Sequence, residues 1–518
     1  MSWTVAGIVR GHGKDRPDAP AITYEGRTTT WADLDARSSQ VAQALATEGV
    51  SEQDRIAFID KNGPEYFEFL FGGAKLNAVT VGVNWRLAPP EMEYTINDAE
   101  ARVLVVGSEF ASHLEHFEPG LQTVKKIVVI GDHPTHESYD AWVSKQRPDD
   151  PGTDGSPDDV AMQLYTSGTT GLPKGAMLTN SNLGTMMPAI GPLWSFDADS
   201  INLVAMPLFH IGGSGWALVG MTQGCKSVIV REIVPQQLLD TLQNEKITNA
   251  FLVPAVLQFL SALPNCADGD FSAIRAIVYG ASPITNEVLT RSMRTFGCPL
   301  LQVYGLTETT GAITQLDAED HDPDGPREYL LRSAGKPYSH VELKIVDEGG
   351  NEQPRGSVGE LWTRSSQNMK GYWNKPEATD AVLTPDGWFK TGDAGYMDEE
   401  GFVFLTDRIK DMIVSGGENI YPIEVENALS GHPAVADIAV IGVPDERWGE
   451  SVKAIVVLKD GATLEQDELI TYARERLAGY KIPRSVDFAT ELPRNPSGKL
   501  LKRILREPYW KDKGRNIN

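Results

Sequence analysis

The sequence predicts an α/β protein in which a large N-terminal domain of two doubly wound sheets precedes a small α+β domain. Short apolar runs such as 55–59, 126–130 and 276–280 are separated by segments of helix length, which is typical of parallel sheets covered by helices. Residues 330–406 instead show short alternating runs with Gly and Pro turns, which predicts a β-barrel-like subdomain. From about residue 410 the chain mixes short strands with helices, which predicts the small C-terminal domain.

Local patterns place the individual elements. Residues 21–24 predict a strand before a Glu-Gly-Arg turn, and Thr30 with Asp33 forms the Thr-x-x-Asp signal of a helix start. The Asp-, Pro- and Gly-rich stretch 146–158 predicts a solvated linker, and 160–165 predicts the strand that follows it. The remaining predicted elements are strands at 102–106, 227–230 and 250–253 and a helix at 464–478.

Composition and charge limit the classes of function. The formal net charge is −24 and no basic stripe is present, so nucleic-acid binding is not expected. Cys225, Cys266 and Cys298 lie far apart without a Cys-x-x-Cys motif, which favours neither a disulfide framework nor a zinc site and fits a reducing cytoplasm. The first residues lack the pattern of a signal peptide, and no apolar run approaches the ~20 residues that span a bilayer. We therefore expect a cytoplasmic protein and leave peripheral membrane contact and a homodimer open.

The stretch 164–175, Leu-Tyr-Thr-Ser-Gly-Thr-Thr-Gly-Leu-Pro-Lys-Gly, has the chemistry of a polyphosphate cradle. Its glycines let successive backbone N–H groups turn toward one ligand, its hydroxyls add donors, and Lys174 adds a positive charge. A Walker A loop requires Gly-Lys before Ser or Thr, whereas Gly175 follows Lys174, and the stretch is not a Gly-x-Gly-x-x-Gly dinucleotide loop. A flexible Ser/Gly-rich surface loop is the alternative interpretation.

This stretch resembles the signature of the adenylate-forming superfamily, which includes acyl-CoA synthetases, luciferases and the adenylation domains of peptide synthetases. Other motifs of that superfamily follow in order, and the resemblance covers roughly residues 15–505. These are Tyr-Gly-Ala-Ser-Pro at 279–283, Tyr-Gly-Leu-Thr-Glu at 304–308, Trp-Phe-Lys-Thr-Gly-Asp at 388–393, the segment 407–420 and Pro-Arg-Asn-Pro-Ser-Gly-Lys at 493–499. The resemblance implies an AMP-binding domain over residues 1–409 and a mobile C-terminal domain over residues 410–518.

The resemblance also implies roles for individual residues. Lys174 and Lys499 would stabilise phosphate charge, and Asp393 would accept hydrogen bonds from the ribose hydroxyls. Glu308, with Thr166, would hold Mg²⁺ on ATP, because magnesium prefers one or two carboxylates together with phosphate oxygens. The full set of implied ATP- and coenzyme A-binding residues is Thr166, Ser167, Gly168, Thr169, Thr170, Gly171, Lys174, Gly280, Ala281, Ser282, Gln302, Tyr304, Gly305, Thr307, Asp393, Arg408, Lys410, Gly416 and Gly417.

Several of these assignments concern domain movement. In the superfamily the position of Lys410 is the hinge, and the segment after it lines the pantetheine tunnel, where side chains at Gly416 and Gly417 would block a narrow channel. Without the resemblance, Asp393 would be interpreted as a turn residue and Lys499 as an exposed surface lysine.

The segment 207–216 is implied to bind the acid. His210 matches a superfamily position beside the incoming carboxylate and is counted as catalytic, whereas an isolated histidine is more commonly a satisfied core residue. Neighbouring glycines suggest space beside Trp216 for a bulky or elongated apolar acyl group. The implied pocket consists of Phe209, His210, Gly212, Gly213, Trp216, Gly280, Gly305 and Leu306.

These residues together predict an ATP-dependent acid–CoA ligase that uses ATP, Mg²⁺, coenzyme A and a small-molecule carboxylic acid. A medium- or long-chain fatty acid is the leading substrate, followed by a steroid side-chain acid or an aryl acid. No aspartate stands out as an anchor for an α-amino group, which disfavours amino acids. An enzyme that loads a carrier-protein thiol and a catalytically inactive nucleotide- or acyl-binding relative are the alternatives.

Overall fold

The structure, a computed structural model, describes residues 3–167, 172–281, 284, 286–347, 349–408, 413–420, 422–493 and 502–511. Its α-helices are α1 Val5–Asp15, α2 Trp31–Thr47, α3 Pro64–Lys75, α4 Pro89–Asp98, α5 Ala111–Phe117, α6 Tyr139–Ser144, α7 Asn180–Ile190, α8 Ile211–Thr222, α9 Pro235–Asn244, α10 Pro254–Ser261, α11 Asn286–Phe296, α12 Pro376–Val382, α13 Pro422–Ser430, α14 Gln466–Arg474 and α15 Lys502–Trp510.

Its strands are β1 Pro20–Tyr24, β2 Arg27–Thr30, β3 Arg55–Ile59, β4 Val79–Gly82, β5 Val103–Gly107, β6 Lys126–Ile130, β7 Glu137–Ser138, β8 Val160–Ser167, β9 Pro173–Thr179, β10 Ile201–Val204, β11 Lys226–Ile229, β12 Asn249–Phe251, β13 Ala276–Gly280, β14 Leu300–Leu306, β15 Gly311–Leu316, β16 Lys336–Pro337, β17 Glu342–Val346, β18 Gly359–Arg364, β19 Gly371–Tyr372, β20 Phe389–Met397, β21 Val403–Arg408, β22 Ile413–Ser415, β23 Glu418–Ile420, β24 Val435–Asp445, β25 Gly449–Leu458 and β26 Ser485–Ala489.

The first sheet contains the strands predicted at 55–59, 102–106, 126–130 and 160–165. Within the described residues its order is β19-β9-β8-β4-β3-β5-β6-β7, parallel from β8 to β7 and antiparallel at β9 and β19. Strand β3 is buried on both faces, since Ile56 and Phe58 pack into one apolar cluster while Ala57 and Ile59 pack into another. The predicted strands at 55–59 and 126–130 are confirmed residue for residue.

The second sheet has the order β16-β15-β14-β13-β12-β10-β11-β1-β2 within the described residues, parallel from β14 to β1 and antiparallel at both edges. Strand β1 pairs with β11 in this sheet, although it precedes the whole first sheet in the sequence. The predicted helix start is confirmed, because Asp33 N donates to Thr30 Oγ1 and Thr30 N donates to the Asp33 carboxylate in a capping box.

Two smaller sheets follow. Strands β17-β18-β20-β21 form an antiparallel sheet where the sequence predicted a β-barrel-like subdomain. The small domain contains the sheet β23-β22-β25-β24, with β26 parallel to β25, and has its own apolar core with α13 and α14. The helix predicted at 464–478 is α14, which covers only Gln466–Arg474. The predicted domain boundary between 409 and 410 lies outside the described residues and stays a prediction.

The main core lies between the two large sheets. It includes Leu164 of the first sheet and Leu203 and Val278 of the second, so that strands from both halves pack together. This packing brings the end of β8 close to the residues that follow β14, where Thr166 and Glu308 share a hydrogen bond. Ligands in open α/β sheets bind outside the carboxyl ends of the strands, and this edge is therefore the place to look for a site.

Candidate active site

Glu308 lies where three segments meet. It is 8% exposed, and its Oε1 accepts hydrogen bonds from Thr166 Oγ1 and from the Tyr372 hydroxyl, both at 2.9 Å. Its backbone carbonyl accepts a hydrogen bond from Met369 N at 2.7 Å. Thr307 begins the short 3₁₀ turn that carries this carboxylate. Hydrogen bonds to an ionised carboxylate are strong, so these contacts fix the Glu308 side chain at the strand ends.

The donor set at Glu308 suits magnesium bound to a nucleotide. Among the described residues, no group of three or more His, Cys, Asp or Glu side chains is arranged to hold a metal ion. Magnesium takes most of its ligands from water and phosphate and needs only one or two carboxylates. One fixed carboxylate with the Thr166 hydroxyl beside it therefore fits an ion whose other ligands come from the phosphates of a bound nucleotide.

Lys174 enters the same cluster from the neighbouring strand. It lies opposite Thr166 in the antiparallel pair β8–β9. Its Nζ lies 5.1 Å from the centroid of the Tyr372 ring, a cation–π contact beside Glu308. The β8–β9 hairpin therefore brings a hydroxyl and an ammonium group to one carboxylate. Ser167 ends β8, and residues 168–171 lie outside the described residues.

Asp393 and Tyr304 form a second polar pair. The Tyr304 hydroxyl donates to Asp393 Oδ2 at 2.7 Å, and Asp393 is 7% exposed. Asp393 lies opposite Arg408 in the pairing of β20 and β21. Gln302 also lies on β14, where its Oε1 accepts a hydrogen bond from the Tyr279 hydroxyl at 3.4 Å. The structure thus brings together the residues that the sequence predicts around the ribose and the adenine.

The backbone is constrained where β13 and β14 end. A Cβ atom at Gly280 would lie 2.3 Å from the Val303 carbonyl oxygen, and one at Gly305 would lie 1.9 Å from the Gly311 carbonyl oxygen. Ala281 has a φ of +66°, in the left-handed region that a non-glycine residue rarely adopts. Such strain costs about 1–3 kcal/mol and tends to occur at functional sites, and the adenine-binding role of this turn stays a prediction.

The segment before α8 lies near the residues that follow Glu308, since a Cβ at Gly311 would lie 3.8 Å from Ile211 Cγ1 of α8, and we refer to the region from Glu308 to His210 as the cleft. Phe209 is buried, its ring centroid lies 4.4 Å from that of His210, and its ring meets Trp85 edge-on at 6.3 Å. Leu306, at the end of β14, is partly buried against the main core. His210 keeps 42% of its side chain exposed and is the residue immediately before α8.

Trp216 and its neighbouring glycines are packed more tightly than the sequence suggested. Trp216 is 4% exposed and lies among the rings of Trp194, Phe196 and Phe251, with Nε1 donating to the Leu203 carbonyl. Protein atoms occupy the space beside the glycines, because a Cβ at Gly213 would lie 2.1 Å from the Pro207 carbonyl oxygen and one at Gly212 would lie 3.1 Å from the Phe251 ring. Close packing therefore accounts for both glycines.

The turn between β22 and β23 brings the small domain to this cleft. Gly416 and Gly417 have φ values of +60° and +84°, which favour glycine at both positions of the turn. A Cβ at Gly417 would lie 3.4 Å from Val253 Cγ2 of the large domain, and one at Gly416 would lie 2.7 Å from the Trp448 ring.

Glu418, which follows this turn, is a site residue that the sequence reasoning missed. It is 7% exposed, its Oε2 lies 3.3 Å from His210 Nε2, and its Oε1 forms an ion pair with Arg86. The Arg86 guanidinium also lies over the Trp85 ring, 4.7 Å from its centroid. No sequence signal separated Glu418 from an ordinary turn carboxylate, and Arg86 lies far from it in the chain.

The electrostatics of His210 favour the neutral ring at pH 7. Burial, and then the Arg86 guanidinium, lower the pKa of His210. Its partial exposure to solvent and the Glu418 carboxylate both oppose this lowering of the pKa. A neutral imidazole can still donate one hydrogen bond to Glu418 through Nε2.

Several predicted site residues lie outside the described residues, and their roles stay predictions. They are Gly168, Thr169, Thr170, Gly171, Ser282, Lys410 and Lys499. The Arg408 side chain is likewise outside the description.

Comparison with known families decides the class of the protein. The model of the AMP-binding enzyme family matches residues 9–373, and that of the AMP-binding enzyme C-terminal domain matches residues 424–499. The chain belongs to the AMP-binding, adenylate-forming enzymes. It is an acid-adenylating ligase of the acyl-CoA or carrier-protein ligase type.

Two curated relatives of this AMP-binding enzyme illustrate the range of acids and acceptors. A fatty acid–[acyl-carrier-protein] ligase of Streptomyces coeruleorubidus is 40% identical, and the match covers 98% of this chain and 96% of the relative. A feruloyl-CoA synthase of Amycolatopsis sp. is 38% identical, and the match covers 95% and 96% of the two chains.

Solved structures share the whole fold. The amide bond synthetase McbA from Marinactinospora thermotolerans superimposes with a TM-score of 0.89 at 30% identity, covering 98% of this chain and 99% of the other. A double mutant of o-succinylbenzoate CoA synthetase (MenE) from Bacillus subtilis, bound with its product analogue, gives a TM-score of 0.84 at 30% identity, covering 97% and 98%. In the described part of this AMP-binding enzyme, every helix is too short or too polar to cross a bilayer.

Proposed function

We propose that this enzyme is an ATP-dependent acid–CoA ligase that activates a hydrophobic carboxylic acid, with a medium- or long-chain fatty acid as the leading substrate. The observation that carries this proposal is the convergence of two sets of groups on one cleft. Thr166, Lys174 and Glu308 meet where β8 and β14 end, and Gly417 and Glu418 of the small domain reach the Val253 and His210 side of the cleft.

In the first half-reaction a carboxylate oxygen of the acid attacks the α-phosphorus of ATP, and the bond to the pyrophosphate oxygen breaks. Lys174 offsets negative charge on the phosphates, while Asp393, held by Tyr304, accepts hydrogen bonds from the ribose. Lys499 carries positive charge to the α-phosphate. Mg²⁺ bound beside Glu308 supplies further neutralisation of phosphate charge. Positioning and electrostatics drive this step, which requires no side-chain nucleophile.

In the second half-reaction the sulfur of coenzyme A attacks the acyl carbon, AMP leaves, and the thiol proton passes to solvent. The turn at Gly416 and Gly417 lies against Val253, and side chains at these two positions would narrow the path proposed for a pantetheine arm. Glu418 ties this turn to His210 and Arg86. The similarity to a synthetase solved with its product analogue supports this domain arrangement as that of thioester formation.

Membership of the family does not determine which acid is activated or which thiol accepts the acyl group. The name of the fatty acid–[acyl-carrier-protein] ligase relative supports a fatty acid as the leading substrate. The name of the feruloyl-CoA synthase relative favours an aryl acid as the alternative substrate. The name of the relative at 40% identity favours a carrier-protein thiol as the alternative acceptor.

A panel of acids with ATP and Mg²⁺ tests the proposal. Pyrophosphate and thioester are measured by mass with coenzyme A, with a phosphopantetheinyl carrier protein, and without a thiol. Acyl-CoA formation from fatty acids is the expected result. If thioester formed only on the carrier protein, the acceptor would be the carrier-protein thiol and not coenzyme A. Absence of pyrophosphate release across the panel would contradict the proposed activity.

A further inference from the structure

The segment 478–481 of the small domain packs against the large domain. Ala478 is 2% exposed and belongs to the apolar cluster formed by β3, β4, β5, α4 and α5 of the large domain. Tyr480 packs both against this cluster and against the small-domain core, and its hydroxyl accepts a hydrogen bond from Asn84 Nδ2 at 3.1 Å. This segment therefore connects the cores of the two domains.

A buried lysine beside this segment bridges carboxylates from both domains. The Lys481 side chain is 3% exposed, and its Nζ lies 2.9 Å from Glu91 Oε1 on α4 and 2.6 Å from Glu424 Oε1 on α13. Glu91 Oε2 accepts hydrogen bonds from Ala478 N and from Ala88 N, both at 2.9 Å. One carboxylate of the large domain thus binds an ammonium group and a backbone N–H of the small domain.

These contacts depend on the orientation of the small domain. A buried charge is tolerated only where partners replace its lost hydration, and Glu91 is the partner that the large domain contributes to Lys481. Any rotation of the small domain that separates Lys481 from Glu91 removes this pairing and the Ala478–Glu91 hydrogen bond together. Helix α13, which carries Glu424, comes directly after the strand that begins at Glu418.

We propose that Lys481 is a positioning residue for thioester formation. By bridging Glu91 and Glu424, it holds the small domain in the orientation that keeps Gly417 and Glu418 at the cleft. Lys481 acts through this contact and does not bind substrate. The expected effect on thioester formation rests on the proposed acid–thiol ligase function. The contact between Lys481 and Glu91 can be tested without measuring activity.

The kinetic test separates the two half-reactions. Acid-dependent ATP–pyrophosphate exchange without thiol and thioester formation from acyl-adenylate are measured for wild type, Lys481→Gln and Glu91→Gln. Glutamine at position 91 retains an acceptor for the Ala88 and Ala478 N–H groups. We expect thioester formation to fall by about tenfold or more while exchange stays within about twofold of wild type.

Lys453→Gln is the matched control, because Lys453 pairs with Asp487 at 2.6 Å within the small domain and its side chain is only 10% exposed. This control should leave the ratio of the two rates unchanged. The double variant Glu91→Gln/Lys481→Gln should lose no more thioester activity than the worse single variant, since both remove one contact. Equal losses in both half-reactions, or fully additive losses, would overturn the proposal.

A distance measurement tests the contact independently of activity. Spin labels at the exposed positions Asp240→Cys and Asp460→Cys, in a Cys298→Ser background, report the separation of the domains by electron–electron double resonance. We expect one narrow distance distribution for the parent protein and a broadened or second distribution with Lys481→Gln or Glu91→Gln. Unchanged distributions in both variants overturn the proposal. If the parent makes no adenylate, the proposed function fails while the distance test still decides the role of the bridge.

Discussion

A methyl group at position 213 would collide with the backbone of its own segment. A Cβ there would lie 2.1 Å from the Pro207 carbonyl oxygen and 2.7 Å from the Met206 carbonyl oxygen, and backbone atoms cannot move aside as a flexible side chain can. We therefore expect Gly213→Ala to destabilise the protein by about 1–3 kcal/mol, measured as a lower urea-unfolding midpoint. Gly11→Ala is the control, since no atom lies within 4 Å of its added Cβ and alanine favours the helix α1.

Lys499 allows a test of charge stabilisation in the first half-reaction. If its ammonium group binds the α-phosphate as proposed, Lys499→Ala should slow ATP–pyrophosphate exchange by about 100-fold, a loss similar to the removal of one preorganised donor from an oxyanion site. Thioester formation from synthetic acyl-adenylate should stay near the wild-type rate. Lys459→Ala, at an exposed lysine of the same domain, serves as control. Adenylation at the full rate would refute the role of Lys499.

At the scale of single residues, the sequence identified candidate site residues but not the partners that hold them. The sequence motifs led to Glu308, Tyr304 and Asp393, and the structure brings the last two into a hydrogen bond. Tyr372, which holds Glu308, comes from a two-residue strand without a recognised motif. Partners such as this one are set by tertiary packing, which no local pattern in the sequence reveals.

At the scale of elements, the sequence predicted the positions of strands but not the sheet to which each strand belongs. A run such as 276–280 has no charged residue, so its burial follows from composition and the strand β13 matches it. The pairing of β1 with β11 joins strands that are far apart in the sequence, and this has no signature in 20–24. The linker expected at 146–158 contains no helix or strand, but Arg10 of α1 anchors it through Asp150.

Helix α13 supports a prediction about pH. Burial raises the pKa of Glu424 above its ordinary value of 4.5, with Lys481 opposing and Glu91 reinforcing this shift. The stabilisation associated with the raised pKa is complete below pH 4.5 and is lost as the pH rises through the folded-state pKa. We expect wild type to lose roughly 1–3 kcal/mol relative to Glu424→Gln between pH 5 and pH 8. Urea unfolding at the two pH values measures this difference. An equal change in the free energy of unfolding of both proteins would contradict the prediction.

For the whole molecule, the hinge at Lys410 is the critical prediction. Proline fixes φ and removes a backbone donor, so Lys410→Pro should restrict rotation of the small domain. We expect the ratio of thioester formation to pyrophosphate exchange to change by about tenfold or more, because the predicted domain movement gives the two half-reactions different orientations of the small domain. The exposed Lys459→Ala variant, far from the hinge in sequence, should keep the wild-type ratio. An unchanged ratio in Lys410→Pro would place the hinge elsewhere.

The relative placement of the domains was beyond sequence reasoning. The motifs predicted a mobile domain and a glycine-bearing segment, but the contacts of Tyr480 with Asn84 and of Glu418 with His210 join residues separated by hundreds of positions. Such contacts depend on the shapes of two completed surfaces and therefore have no local sequence signal.

Strand β1 lies between β11 and β2 in the second sheet, so its two partners are synthesised at very different times. Ile22 leaves the ribosome early, yet its neighbour Ser227 is made only after strands β3 to β9 of the first sheet. Closing so long a loop carries an entropic cost, and until then the apolar strand has no parallel partner from that sheet. The nascent chain therefore carries β1 paired only with β2 through much of its translation, which leaves the other edge of β1 exposed to non-native strand pairing.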